Sequence, residues 1–570
     1  MEPRPCRQQR GEAEELSAYT VLDPTGFEMP RDQRRILRWT IYIGYLALTA
    51  GIFHGLAQAL SYGNVNILQY FPRLRGYYQG LTAHGVANVL TFTFAFSNGF
   101  LPLLVARALS RPLSKKLLWW TFGTMLVGNL MTIYAVVGNR ASILYTSYAP
   151  LQAHWTYYAG LALIVVSTWL AAVNMFVVFG RWRRENRDVR IPLLAFLSIA
   201  TYAMWVLASL PVAVLFLVYL LPWSLGVVQK TDPLYDRTLF WFTGHAIVYA
   251  WLLPAYVSWY TLLPRQVGGK LISDAYARIT FLLFLVLSIP IGFHHQFTDP
   301  GVGRGMKAIH TVLTFGVYYP SLITAVSVVA ALEIGAKSKG GRGLIRWVTK
   351  LPWGDPSVAA QVLAMFTFVF GGITGLVNAS ASMNLVIHNT TWVVGHFHLT
   401  VGSAVTLTLM GIAYWLIPYL TGRKLWSRDL GLVSSWMYAL GVLIFARGMI
   451  SAGLQGMPRR IFRVEATYTD PAWDFGGQLT AIGGTIMFFG IALFFLNMLL
   501  TIIVGKRGEE PKDVPVTRTM TAPSLTGWDR HLDRLWVWVV VAIVLILIGY
   551  GPFFVGYGPA RAISPGFRLY

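Results

Sequence analysis

The sequence is almost without cysteine and is poor in charge. Its one cysteine, Cys6, lies in a polar amino-terminal arm, which excludes a disulfide, an iron–sulfur cluster or a thiolate copper site built from this chain alone. Charged residues make up 12% of the 570, and Asp and Glu together number only 24, well below the usual share for a water-soluble protein of this length. The first 30 or so residues carry no apolar h-region, so no cleaved signal peptide is expected. No internal repeat of useful strength is visible, which speaks against an inverted-repeat transporter.

What is present is apolar: 55% of residues are hydrophobic and 14% aromatic. They fall in runs of about 20 residues or more, the length a hydrocarbon core of about 30 Å requires. Roughly thirteen such runs begin near residues 38, 77, 117, 154, 191, 238, 276, 307, 358, 389, 429, 475 and 534. The linkers leave no room for a second soluble domain. The expected fold is all-α, a polytopic integral membrane bundle of about thirteen transmembrane helices. Residues 1–35 form a cytoplasmic arm, 36–557 the transmembrane domain and 558–570 a short outer tail. The net charge of +22 does not signal nucleic acid, because the basic residues sit in loops. With the amino terminus inside, about 33 of the 46 Lys and Arg lie on one side and about 13 on the other. The chain is therefore expected in the cell membrane, amino terminus cytoplasmic and carboxyl terminus outside, its basic excess also contacting lipid.

Six of the eleven histidines, His84, His245, His294, His295, His396 and His398, fall in four apolar segments at spacings that a metal-and-haem centre would need. An unpartnered imidazole in a membrane is costly, so such a group reads as a functional site, and neutral imidazole is the commonest ligand for copper and haem iron. At about 100° per residue, His396 and His398 point about 200° apart on one helix. They serve either two cofactors on opposite faces or two buried hydrogen bonds to neighbouring helices. His84 can be a second axial ligand opposite His398. His294 and His295, with His245 from another helix, offer three nitrogens and an open position, which suits copper; the alternative is a packed, water-satisfied pair. Tyr249 follows His245 by four residues and shares its helix face. Ser321, Thr324 and Ser327 repeat at three-residue spacing, and Tyr256 and Tyr260 continue the Tyr249 face. Such hydroxyls form one stripe, read equally well as helix–helix glue or as a proton route.

Together the blocks QGLTAHG, WFTGHAIVYAWLLPAY, GFHHQFTDPG, HNTTWVVGHFHL and GMPRRIF resemble subunit I of the haem–copper oxygen reductases, and most of all the B family, the ba-type cytochrome c oxidases. The resemblance runs through nearly the whole chain. It implies a low-spin haem b on His84 and His398, a high-spin a-type haem on His396, and copper B on His245, His294 and His295. Tyr249 would be the redox tyrosine, joined covalently to His245 in the family. Arg459 and Arg460 resemble the pair that neutralises haem propionates, and His388 a residue of the proposed proton-exit region. The hydroxyl stripe resembles the family's K-type proton channel. The chain departs from the family at Asn384, where the ba-type pattern has aspartate, and at Ala246, where proline is usual.

The implied activity is four-electron reduction of dioxygen to water, coupled to proton uptake and translocation. The implied partners are a subunit II carrying a dinuclear copper A centre and a soluble cytochrome c as donor, with room for a small single-helix subunit. Two alternatives stand beside this reading. A nitric oxide reductase of the same superfamily usually lacks the tyrosine after the first ligand histidine. A haem-free membrane transporter is expected to be colourless.

Overall fold

The computed structural model describes residues 27–71, 73–74, 76–508, 513–521, 527, 529–558 and 561–570. Cys6 and the arm as far as residue 26 lie outside the described residues. In chain order the principal helices are α1 (Arg31–Tyr62), α2 (Tyr77–Ala108), α3 (Lys115–Val137), α4 (Trp155–Glu185), α5 (Leu193–Ser224), α6 (Pro233–Val267), α7 (Asp274–Leu287), α8 (Arg304–Lys337), α9 (Pro356–Ala379), α10 (Thr391–Thr421), α11 (Arg428–Leu454), α12 (Pro471–Ile503) and α13 (Leu535–Tyr557). Among the described residues twelve of these, all but α7, are long and apolar enough to cross a membrane.

Local chemistry sets the helix ends. Asp232 accepts from the backbone N–H groups of Leu234 and Tyr235 at 3.0 and 3.1 Å, and Asp355 from that of Ser357 at 2.8 Å. Each caps a helix that opens on proline, at Pro233 and Pro356, where the missing N–H is no loss. Helix α1 starts at Arg31, earlier than the apolar run near residue 38, because its basic first turns are already helical.

The run beginning near residue 276 behaves differently. Helix α7 has 14 residues, a rise of about 21 Å, short of a hydrocarbon core of about 30 Å. It stops ahead of Pro290, which removes a backbone donor and disfavours helical dihedrals at the residue before it. The chain then makes a 3-10 turn over Gly292–Gln296, the turn that holds His294 and His295. Gly292 is required there: a Cβ would lie 2.1 Å from the Trp241 carbonyl oxygen of α6.

Two short strand pairs tie the carboxyl tail down. Strand β1 (Leu151–Gln152) pairs in parallel with β4 (Phe567–Arg568), and β2 (Lys230–Thr231) antiparallel with β3 (Ser564–Pro565). We call this the tail face and the opposite side, where α1 begins, the arm face. On the arm face Arg190 and Arg278 share Asp274 at 2.6 and 2.7 Å, and Arg278 reaches Asp533 at 2.7 Å. These buried, mutually paired charges join the starts of α5 and α7 to the approach to α13. The outward sides of the helices are apolar, with Val540, Val544, Leu547 and Val555 of α13 exposed, as a lipid-facing surface requires.

Candidate functional site

The helices enclose a cavity of about 620 Å³, and all six of the singled-out histidines line it, together with Tyr249, His388, Asn384, Arg459 and Arg460. The imidazoles form two separate arrangements. His245, His294 and His295 present ring nitrogens all within 4.8 Å of one another. His245 Nδ1 lies 3.1 Å from His295 Nε2, the separation expected of two nitrogens that each bond one ion at about 2 Å. His245 Nε2 is buried and has no hydrogen-bond partner. That donor set, neutral nitrogen with an open side, fits copper.

The surroundings hold these rings in place. His295 stacks on Trp241 with centroids 3.8 Å apart. His294 Nδ1 meets the Thr314 hydroxyl at 3.0 Å, and Thr314 donates to the His310 carbonyl at 2.5 Å. His310 accepts the Phe293 N–H through Nδ1 at 3.2 Å and donates from Nε2 to the Gly549 carbonyl at 2.8 Å. Gln296 donates to Thr238 at 3.1 Å and Asp299 at 3.0 Å, binding the turn to α6. The adjacent pair does not sit on an α-helix, contrary to what its place in an apolar run suggests. The 3-10 turn brings their ring centroids within 4.2 Å, so both face the His245 ring.

His84 and His398 form the second arrangement. Their rings are nearly parallel, at 12°, with centroids 6.3 Å apart. Two nitrogen–metal bonds of about 2 Å plus two ring radii fill such a gap, so the pair fits one metal held from both sides. Each uses Nδ1 on a carbonyl, His84 on Gly51 at 2.9 Å and His398 on Val394 at 2.8 Å, which leaves Nε2 for the gap. His84 lies one residue before Gly85 and the wide π-helical turns of Val86–Phe92, and His398 opens another such stretch, His398–Val405. Wide turns of this kind recur at functional sites. Gly55 makes space for His84, since a Cβ there would meet the ring at 2.7 Å. His396 lies on the same helix as His398, its Nδ1 at 2.9 Å from the Thr374 hydroxyl.

Tyr249 sits one turn beyond His245, the ring centroids 5.1 Å apart. Ala246 is fully buried within the regular stretch of α6 from Pro233 to Thr261. Below Tyr249, Tyr256 meets Ser321 at 3.4 Å, and Tyr260 meets Thr324 at 3.1 Å and Thr280 at 3.2 Å. Thr324 and Ser327 are buried at 2% and 3% exposure. The tyrosine face of α6 and the hydroxyl stripe of α8 therefore meet, and α7 adds Thr280.

Toward the tail face, Arg459 donates to the Asn389 side chain at 2.7 and 3.1 Å, and Arg460 packs over the Tyr148 ring at 5.8 Å. His388 Nδ1 lies 3.2 Å from the Asn384 side-chain oxygen, and Asn384 donates to the Asn378 carbonyl at 2.7 Å. Burial, then the positive charges of Arg459 and Arg237, push the His388 imidazole down to about 4. Burial and the neighbouring Arg460 bring Arg459 down to about 10. This end of the cavity is a cationic, partly dehydrated pocket that favours anionic groups. The partners Thr280, Thr314, Thr374, His310 and Trp241 were not singled out from sequence. Spacing of four residues is the one hint the sequence carries of them, between His310 and Thr314 and between Trp241 and His245.

The chain matches known proteins over almost its whole length. Residues 35–486 match the family described as cytochrome c and quinol oxidase polypeptide I. The chain is 40% identical over 547 residues to cytochrome c oxidase subunit 1 of Thermus thermophilus, covering 94% of this chain and 97% of that one. It is 27% identical to cytochrome c oxidase polypeptide 1 of Halobacterium salinarum, over 89% and 88% of the two chains. A cryo-EM structure of a heme-copper terminal oxidase dimer shares its fold with a TM-score of 0.89, at 37% identity over 94% of this chain and 95% of that one. Family match, length of coverage and fold agree: the chain belongs to the cytochrome c and quinol oxidase polypeptide I family of haem–copper oxidoreductases.

Proposed function

We propose that the chain is the oxygen-reducing subunit of a ba-type terminal respiratory oxidase, which reduces dioxygen to water with electrons from a soluble cytochrome c. The observation that carries this reading is one cavity faced by two imidazole sets, one paired and parallel, the other threefold and open. His84 and His398 would hold a low-spin haem b, His396 a high-spin a-type haem, and His245, His294 and His295 copper B. When bound, these groups supply electron relay and the four-electron reduction of oxygen at the high-spin iron and copper.

The side chains supply the rest. His84 and His398 close both sides of their gap, so nothing else binds there and that site only relays. The three-histidine set keeps a side open towards His396. Tyr249, one turn from His245, can give a hydrogen atom without waiting for an outside donor. The unpartnered Nε2 of His245 is the atom left for the covalent join to that tyrosine. Arg459 and Arg460 receive haem propionates at the cationic tail-face end. Tyr260, Thr324, Thr280 and Ser327, with Tyr256 and Ser321 above them, carry protons from the arm face through an otherwise apolar interior.

In this reading α7 and the turn with His294 and His295 together make a thirteenth crossing. Residues 36–557 are then one membrane domain, with the amino terminus cytoplasmic and the tail face outside, in the cell membrane. With Cys6 the single cysteine, copper A belongs to a partner subunit II on the tail face. The purified complex is expected to consume oxygen with reduced cytochrome c and to leave nitric oxide untouched; nitric oxide consumption without oxygen uptake contradicts the assignment.

Two substitutions test the proton groups. Thr324→Val removes the hydroxyl that meets Tyr260 and should slow oxygen turnover on the order of 100-fold, the scale of one positioned proton-transfer group. Haem bands should be unchanged, and a variant with normal turnover excludes this route. Asn384→Asp places a carboxylate 3.2 Å from His388 Nδ1, which favours the imidazolium. The His388 pKa, about 4 at present, should rise by about one pH unit or more, as read by infrared difference titration. No rise shows that the two side chains do not interact.

A further inference from the structure

The hydroxyl of Thr374 on α9 occupies the far side of the His396 ring. Its Oγ1 lies 2.9 Å from His396 Nδ1, and 2.9 Å from each of the carbonyl oxygens of Phe370 and Gly371, one helical turn back. A hydroxyl has a single hydrogen and two lone pairs, and a carbonyl can only accept. With two carbonyls taking that hydrogen, only lone pairs remain for the imidazole, so the ring donates Nδ1–H to Oγ1. This leaves Nε2 free of hydrogen and turned away from α9. On the next residue, a Cβ built on Gly375 would come within 3.3 Å of His396 Cε1, so the glycine leaves the space the ring occupies beside the hydroxyl.

The contrast with the relay pair is chemical. His84 and His398 hold Nδ1 against the backbone carbonyls of Gly51 and Val394, with the Asn88 side chain also 3.0 Å from that of His84. His396 turns Nδ1 to the Thr374 hydroxyl, with the Gly371 carbonyl beside it. We propose that Thr374 is a positioning residue that sets the tautomer and the electron donation of His396 through a relay from ring N–H to hydroxyl to helix carbonyl. Aligned hydrogen bonds polarise one another, and a hydrogen bond to the outer nitrogen of a ligating imidazole makes the inner nitrogen a stronger donor. Thr374 touches neither substrate nor metal; it acts through His396.

The inference rests on His396 being the high-spin haem ligand. It is tested on the purified holoenzyme by resonance Raman spectroscopy of the reduced high-spin haem, with Thr374→Val, Thr374→Ser and Thr374→Ala. The Val variant keeps the shape and loses the hydroxyl, so the iron–histidine stretching band should move to lower frequency and turnover should fall about tenfold. Thr374→Ser keeps the hydroxyl and should keep the wild-type band. An unmoved band in the Val variant overturns the proposal. If the Val variant does not assemble, the Ser and Ala variants decide it: different bands support the relay and equal bands refute it. His396→Gly with added imidazole separates the two failures. A band that answers to His396 but not to Thr374 sinks only this inference, whereas a band indifferent to His396 sinks the ligand assignment beneath it.

Discussion

Replacing His245 with alanine is expected to abolish oxygen consumption while leaving the low-spin haem spectrum intact. The three nitrogens of His245, His294 and His295 lie within 4.8 Å of one another, and no fourth candidate ligand joins them among the described residues. Two imidazoles on a tight turn cannot hold an ion against water as three can. Copper should be lost from the purified enzyme, and with it several kcal/mol of stabilisation at the reacting oxygen, about 10³-fold or more in rate. His84 and His398 are bonded to their own carbonyls, Gly51 and Val394, and share no hydrogen bond with the trio. Their optical bands should therefore survive. Metal analysis together with a reduced-minus-oxidised spectrum checks both halves; retained copper with normal turnover removes the copper assignment.

The second large effect is the reciprocal one. His398→Ala leaves His84 facing a gap with one wall, and a haem held on one side is no longer six-coordinate and low-spin. The variant should lose the low-spin band and keep its copper, because the rings of the trio are positioned by Trp241, Thr314 and Gln296 rather than by α10. Steady-state oxygen uptake with cytochrome c should fall by about 10²-fold or more, since losing a supporting partner of a metal ligand costs about 10- to 100-fold and losing the ligand itself costs more. Loss of both copper and the low-spin band in this one variant contradicts two separable sites.

The physics of the bilayer explains why much of the site is legible in the sequence. Histidine in a long apolar run is costly, and that cost together with the sequence blocks around them marks His84, His245, His396 and His398; His54 and His310 lie in such runs as well. The stripe of Ser321, Thr324 and Ser327 follows from helical periodicity, and the tyrosines of α6 do meet it. What stays hidden depends on packing between helices distant along the chain. Thr280 reaches Tyr260 only because α7 lies against both α6 and α8. Thr374 reaches His396 across 22 positions of sequence, with no spacing to announce it.

The break after α7 is hidden for another reason. Pro290 sits inside a run that reads as one continuous apolar segment, and membrane helices often tolerate proline. Here Gly292 packs against the α6 backbone, and the chain turns instead of continuing. That turn delivers two adjacent imidazoles to one point, a geometry that a regular helix at about 100° per residue does not offer. Cavity, turn and wide π-helical stretches thus depart from regular helix at the places where ligands are needed, in keeping with local irregularity at functional sites.

One determination bears on the whole account: haem and metal analysis, with an optical spectrum, of the purified wild-type complex from cells supplied with iron and copper. The account predicts two haems per copy of this chain, one low-spin and one high-spin, and a single copper in addition to any carried by a subunit II. Colourless protein containing neither iron nor copper, or protein with one haem and no copper of its own, contradicts it.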